Sequence, residues 1–350
     1  RNARVIRGIQ WVVVGFYIVL VALPAFLPLP QYDQHIWNNL TLFAQFLFWG
    51  IWWPFVLISM VLMGRVWCGV FCPEGSLTEL ASRHGRGKAI PRWMRWGGWP
   101  FVAFMGTTVY GQMVSVYQYP KATLLILGGS TVGAMVVGYL YGKDKRVWCR
   151  YLCPVNGVFG VLAKLAPVHY KTDRQTWTAN RDRWQGTHAV NCPTLLPLRE
   201  LESASACHSC GRCSNHREAI SLTARTPNHE ILTTESKRAS LSEFMMITFG
   251  MGGIAVGAFH WSASPWFLQL KLMLADFLVS HDALWVLQTS LPWWIFTNYP
   301  EQSDVFNLLD GSLLLVYIML TGLVLGLGQG LFLALANRLL GSWSQQRFYH

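Results

Sequence analysis

The sequence predicts an all-α membrane protein with about six transmembrane helices and a small, polar, cysteine-rich cytoplasmic domain inserted between the fourth and the fifth. Three observations carry this expectation. First, 52% of the 350 residues are hydrophobic and only 13% are charged, too apolar a balance for a soluble domain of this length. Second, apolar runs recur at the length a bilayer core requires, about 20 residues each. Third, between residues 166 and 238 the composition turns polar, and this stretch holds half of the cysteines.

Six segments reach spanning length: 8–27, 40–63, 99–116, 123–141, 244–261 and 313–336. A further apolar stretch, 266–296, carries Lys271, Asp276, His281 and Asp282, so it is expected to be re-entrant or interfacial, because charge at membrane depth is costly. Basic residues alternate between loops. Arg1, Arg4 and Arg7 precede the first segment, Arg65 to Arg95 follow the second, and Lys143, Lys145, Arg146 and Arg150 follow the fourth. Loops after the first, third and fifth are poor in Lys and Arg, which predicts both termini and every cysteine on the cytoplasmic side of a bacterial inner membrane. The net charge of +11 thus belongs to membrane topology, and no nucleic-acid partner is expected. The eighteen Trp residues, many at segment ends, fit interfacial belts. Three regions follow: a four-helix unit over 1–165, a cytoplasmic domain over 166–238, and C-terminal helices over 239–350. The chain starts at Arg1 rather than Met, which leaves an upstream segment open.

The first region is internally duplicated. "RVWCGVFCPEG" begins at Arg65 and "RVWCRYLCPVNG" at Arg146, and the offsets from Cys68 to Cys149 and from Cys72 to Cys153 are both 81 residues. Such a repeat can set equivalent residues around a pseudo-two-fold axis, bringing two Cys-x3-Cys-Pro pairs face to face. Closely spaced cysteines facing a reducing cytoplasm are read as metal ligands rather than disulfides. In the insert, "CHSCGRC" places Cys207, Cys210 and Cys213 at the pitch of a bacterial ferredoxin, whereas zinc sites favour separate Cys-x2-Cys knuckles. No fourth cysteine follows, but Cys192-Pro193 stands fifteen residues upstream of Cys207. Eight cysteines therefore divide into two sets of four: Cys68, Cys72, Cys149 and Cys153 for one [4Fe-4S] cluster, and Cys192, Cys207, Cys210 and Cys213 for a second. Sharing of ligands across the sets stays open, since the last two cysteines of a ferredoxin motif serve different clusters. Pro73 and Pro154 suit the first turn of a helix whose free N–H groups face an anionic group.

The paired "WCGVFCPEG" and "WCRYLCPVNG", followed by a cysteine-rich domain, resemble the membrane-bound polyferredoxins of the NapH, NosR and CcoG type, over about residues 40–215. Polyferredoxins that accompany some bacterial iron permeases are similar. The resemblance implies a ferredoxin-like iron–sulfur domain, and electron transfer between the cytoplasm and a second membrane subunit or periplasmic redox protein. It implies a cytoplasmic electron donor or acceptor, and the hydrocarbon core of about 30 Å calls for a further carrier: a quinone, a haem subunit, or a metal ion moving through a partner permease. The chain departs from the pattern in having one incomplete ferredoxin motif and two additional helices.

Other signals are weaker. The ten histidines avoid the membrane core, so an intramembrane haem is not expected. A periplasmic metal or quinone-head site could draw on His35, His260 and His281, with Asp33, Met273 and Asp282 nearby in the same loops. Gly253 and Gly257, and Gly322, Gly326 and Gly330, have the four-residue spacing that lets helices pack closely, within the chain or against another subunit. No phosphate-binding loop or hydrolase triad is present. The chain reads as an electron carrier or oxidoreductase subunit, with a zinc-stabilised membrane scaffold as the alternative of another class.

Overall fold

The structure is a computed structural model and describes residues 3–31, 33–180, 190–233 and 240–349. Arg1 and the expected domain boundary at 238/239 lie outside the described residues. The molecule is mostly helical, and five helices are long and apolar enough to cross a membrane: α1 (Arg4–Phe26), α2 (Leu40–Met63), α5 (Pro120–Tyr141), α7 (Leu241–Ala263) and α9 (Leu308–Leu339). Between them stand α3 (Pro73–Arg83), α4 (Trp99–Met113), α6 (Asn156–Ala163) and α8 (Pro265–Ser280).

The segment expected over 99–116 is the exception. It forms the 15-residue α4, about 22 Å long at 1.5 Å per residue, because the chain leaves the helix at Val114 and turns through Ser115 at φ 49. Helix α4 packs at both of its ends. Near its start, Pro100 lies against Gly157 and Met246, while just beyond its end Val114 packs with Tyr119 and Tyr299. The far end is knit by polar contacts. Thr297 N–H donates to the Met113 carbonyl at 2.8 Å, the Tyr119 and Tyr299 rings stack at 3.6 Å, and the Tyr119 hydroxyl donates to Asp304 at 2.8 Å. In the 266–296 stretch, α8 and a short turn, Leu284–Gln288, leave most of their apolar side chains exposed. The charge on Lys271 is answered by Asp310 at 2.6 Å.

The glycine spacing in α7 and α9 serves packing within the chain. A methyl group at Gly253 would meet the Gly322 carbonyl at 2.6 Å, and one at Gly326 would strike the Phe249 ring. Helix α2 stops at Gly64, whose φ of 63 suits glycine, and the reversed chain enters the first cysteine motif.

Between α6 and α7 the insert is framed by two strands, β1 (Val168–Thr172) and β2 (Ile220–Ala224), paired antiparallel with Val168 opposite Ala224. All four insert cysteines fall in the loops between these strands. A small core of Leu201, Cys207, Cys213 and Ile220, flanked by Tyr170 and Trp177, supports them.

Candidate metal centre

The two membrane-proximal motifs fold alike where their sequences agree. In each, the N–H of the second cysteine reaches back five residues to the tryptophan carbonyl: Cys72 to Trp67 at 2.8 Å, and Cys153 to Trp148 at 3.0 Å. This wide turn directs both cysteines of a pair inward, and Cys68 and Cys72 pack with Val56, Met60, Trp67 and Phe159. Cys72 caps α3, with Pro73 at its first position, and the Gly75 N–H donates to Cys72 Sγ at 3.3 Å. Pro154 instead stands ahead of α6, so only the first copy places its proline inside the helix. In the insert, Ser209 N–H donates to Cys207 Sγ at 3.4 Å, and Cys192 Sγ lies 3.4 Å from the Thr194 hydroxyl.

All eight cysteines are free thiols. Cys192, Cys207, Cys210 and Cys213 line one cavity beneath Tyr170. The other four influence one another. Burial raises the Cys72 thiol, and Cys149 and Cys68 raise it further; Cys153 is raised by burial, then by Glu74, Cys149, Cys72 and Cys68. Burial likewise pushes Cys149 and Cys207 to about 12 and Cys213 to about 11. Buried thiols with N–H donors aimed at sulfur suit an anionic iron–sulfur cluster, whose binding expels the thiol protons. Among the described residues, no three Cys, His, Asp or Glu side chains converge on a point that would hold a single metal ion.

Two arginines at equivalent positions of the repeat, 65 and 146, lock the copies together. Arg146, 1% exposed, leaves the second copy to donate to the Cys68 carbonyl at 2.7 Å and to Glu79 of the first at 2.9 Å. Arg65, also buried, leaves the first copy to donate to Asn156 Oδ1 in the second at 2.6 Å and to the Ser205 carbonyl at 2.9 Å. Sequence reading stopped at the cysteines, although the Arg at the head of each "RVWC" was visible in the repeat. Glu79 also pairs with Arg212, beside Cys213. Burial pushes the Glu79 carboxyl up, but Arg146 and Arg212 outweigh it and hold it below its ordinary value. Next to Cys72, burial dominates at Glu74 and raises it, although Ser130 donates to its carboxylate at 2.5 Å.

The insert has its own buried pair. Arg225 meets Glu230 at 2.6 Å, and Glu230 accepts hydrogen bonds from the Ser203 hydroxyl and the Ala204 and Ser205 N–H groups, fixing the approach to Cys207. Burial opposes ionisation of Glu230, yet these donors hold its carboxyl below the ordinary value. On β1, burial and then Arg225 push His169 from its ordinary 6.5 down to about 4. The unfolded chain therefore takes up a proton at His169 first, and stability falls as pH drops from 6.5 toward 4. The lowered Glu230 acts in the same direction, its contribution being lost as pH falls through its folded value. The metal-free insert is expected to unfold between neutral pH and pH 4; loss of hydrogen-exchange protection at the β1 and β2 amides reports it, and unchanged protection across that range contradicts the expectation.

Among the described residues, His35, His260 and His281 are exposed; the His35 ring lies tilted against Trp37 at 5.2 Å, and His281 contacts Phe277 and Ser280.

A family model described as a 4Fe-4S binding domain matches the chain twice, over residues 45–91 and 124–172, one match on each copy of the repeat. The chain thus carries a duplicated 4Fe-4S binding domain beside five helices long and apolar enough to cross a membrane, and it is similar to one class of proteins, those described as ferredoxin-type or electron-transport proteins. Within it, the chain is 22% identical to the putative electron transport protein YccM of Escherichia coli over 264 residues, 65% of this chain and 70% of that protein. It is 29% identical to the ferredoxin-type protein NapH of Haemophilus influenzae over 181 residues, 45% of this chain and 61% of that protein. It is 27% identical to the methylamine utilization ferredoxin-type protein MauN of Methylorubrum extorquens over 138 residues, 36% of this chain and 47% of that protein. The chain thus spans less than two thirds of the latter two. No solved structure matches it.

Proposed function

We propose that the chain passes single electrons through two [4Fe-4S] clusters at the cytoplasmic face of a bacterial inner membrane, one held by Cys68, Cys72, Cys149 and Cys153 and the other by Cys192, Cys207, Cys210 and Cys213. The observation that carries this reading is that Cys192, Cys207, Cys210 and Cys213 line a single cavity, while Cys68, Cys72, Cys149 and Cys153 are free thiols, with Cys149 and Cys68 adding to burial in raising Cys72 and Cys153. When bound, each cluster accepts and releases one electron. The protein's part is to strip water from the thiolates, donate N–H groups to sulfur, and set the guanidinium of Arg146 on the Cys68 carbonyl. In this reading α4, with the chain that follows it to Val116, makes the sixth crossing. That keeps 1–165, 166–238 and 239–350 as its three regions, with both termini cytoplasmic.

Exchange with a quinone is supported by a cleft bounded by Arg65, Pro100, Arg150, Asn156, Gly157 and Met246. The Arg65 Nε there is buried and has no hydrogen-bond partner among the described residues. A quinone ring would lie against the apolar side and its oxygens would accept from guanidinium donors. A second membrane subunit or periplasmic redox protein, and a cytoplasmic donor or acceptor, complete the circuit. Coupling to periplasmic iron uptake through a partner permease is the alternative, and it rests on resemblance alone.

Anaerobically purified protein is expected to be brown, with about eight irons per chain. Cys210→Ala is expected to remove one cluster's EPR signal and leave the other, with iron falling to about four per chain. A colourless preparation holding stoichiometric zinc would establish the scaffold reading instead. Loss of both signals from folded Cys210→Ala protein would mean that the two sets share ligands.

A further inference from the structure

The two cysteine sets meet backbone to backbone at one place. Gly69 follows Cys68, and a Cβ added there would lie 2.0 Å from the His208 carbonyl oxygen and 2.8 and 2.9 Å from Cys210 N and Cα. Contacts this short are closed to any side chain, and neither partner is a flexible end that could swing away. The peptide after one ligand of the first set therefore rests on the middle ligand of the second.

Arg146 clamps this junction from both sides. Its side chain donates to the Cys68 carbonyl at 2.7 Å, while its own N–H donates to the Pro193 carbonyl, next to Cys192, at 2.7 Å. Its neighbour Lys145 donates to the Cys192 carbonyl at 3.1 Å, and Glu79 ties Arg146 to Arg212, next to Cys213. One residue thus fixes the backbone beside a ligand in each set.

We propose that electrons cross between the two clusters at the Gly69–Cys210 contact, and that Arg146 is the positioning residue that holds the contact closed. The route runs from Cys68 through its peptide to Gly69, then by a single van der Waals step to the Cys210 backbone. With both clusters bound, this route would carry one electron from the reduced to the oxidised cluster, with no bond formed or broken and no proton moved. Tunnelling falls steeply with the width of the gap, so the absence of a side chain at residue 69 is what sets the rate.

The inference rests on the two-cluster reading, and iron content separates the two. Zinc or about four irons per wild-type chain overturns that reading, and with it this inference. Given about eight irons, flash reduction followed by freeze-quench EPR measures transfer between the clusters in the intact protein. Gly69→Ala is expected to slow transfer at unchanged midpoint potentials. Arg146→Lys, which keeps the charge but not the forked contact, is expected to slow it likewise. Gly160→Ala, whose added carbon would sit at an ordinary 3.6 Å from the Ser205 carbonyl, is expected to leave the rate alone. Wild-type rates in both Gly69→Ala and Arg146→Lys, with iron content and potentials intact, overturn the proposal. If Gly69→Ala loses iron, the Arg146→Lys rate decides.

Discussion

Glu230→Ala is expected to cost the cysteine-rich insert about 3–5 kcal/mol, because it leaves the Arg225 guanidinium buried without its counter-charge. Both side chains are almost fully enclosed, at 2% and 0% exposure, so water cannot replace the lost carboxylate. The damage is local. Glu230 holds Ser203, Ala204 and Ser205, the residues that lead into Cys207, so the expected phenotype is a loosened insert above an intact membrane unit. Limited proteolysis should cut within 190–233, and the cluster signal assigned to Cys192, Cys207, Cys210 and Cys213 should fade while the other persists. Equal loss of both signals would mean that the two halves unfold as one unit. Glu230→Gln keeps part of the hydrogen bonding and should fall between wild type and alanine.

Arg146→Met is expected to have a larger reach. The substitution preserves bulk but removes the cation, leaving Glu79 buried opposite a methyl group and the Cys68 carbonyl without its donor. Arg212 and Arg83 remain near Glu79, so the carboxylate keeps two partners and the loss is expected at about 3–5 kcal/mol rather than more. Because Arg146 touches both cysteine sets, iron loading should drop at both. The temperature at which visible absorbance bleaches should fall for both clusters together, in contrast with Glu230→Ala. Bleaching of one cluster alone would place Arg146 outside the junction.

Much of the architecture was legible because it is written in local composition. Apolar runs marked the five long helices, a polar interval marked the insert, and an 81-residue repeat marked the paired cysteines. Helix α4 was misjudged at its C-terminal end, where Val114 and Val116 are apolar because they pack beneath Tyr119 and Tyr299, not because the helix continues. The strand pair was missed for a different reason. "VHYKT" and "ISLTA" are short and far apart in sequence, so no turn signal joins them. At the centre itself, cysteine spacing suggested the grouping, but nothing local distinguishes Gly69 from other glycines or Glu79 from a surface carboxylate. Their roles come from distant residues, such as Arg146 and Arg212 for Glu79, 67 and 133 positions away, and Cys210 for Gly69. Only the Arg65 and Arg146 pair left a trace, in the shared letters ahead of each cysteine.

The crossed arginines change what the duplication means. Each copy buries a cation that its own half does not neutralise: Arg65 is met by Asn156 and Ser205, and Arg146 by Glu79 and the Cys68 carbonyl. The two repeat copies, 45–91 and 124–172, therefore depend on each other through buried cations rather than standing as separate halves. A gene cut between the copies would yield two fragments that are each unstable alone and competent only when expressed together.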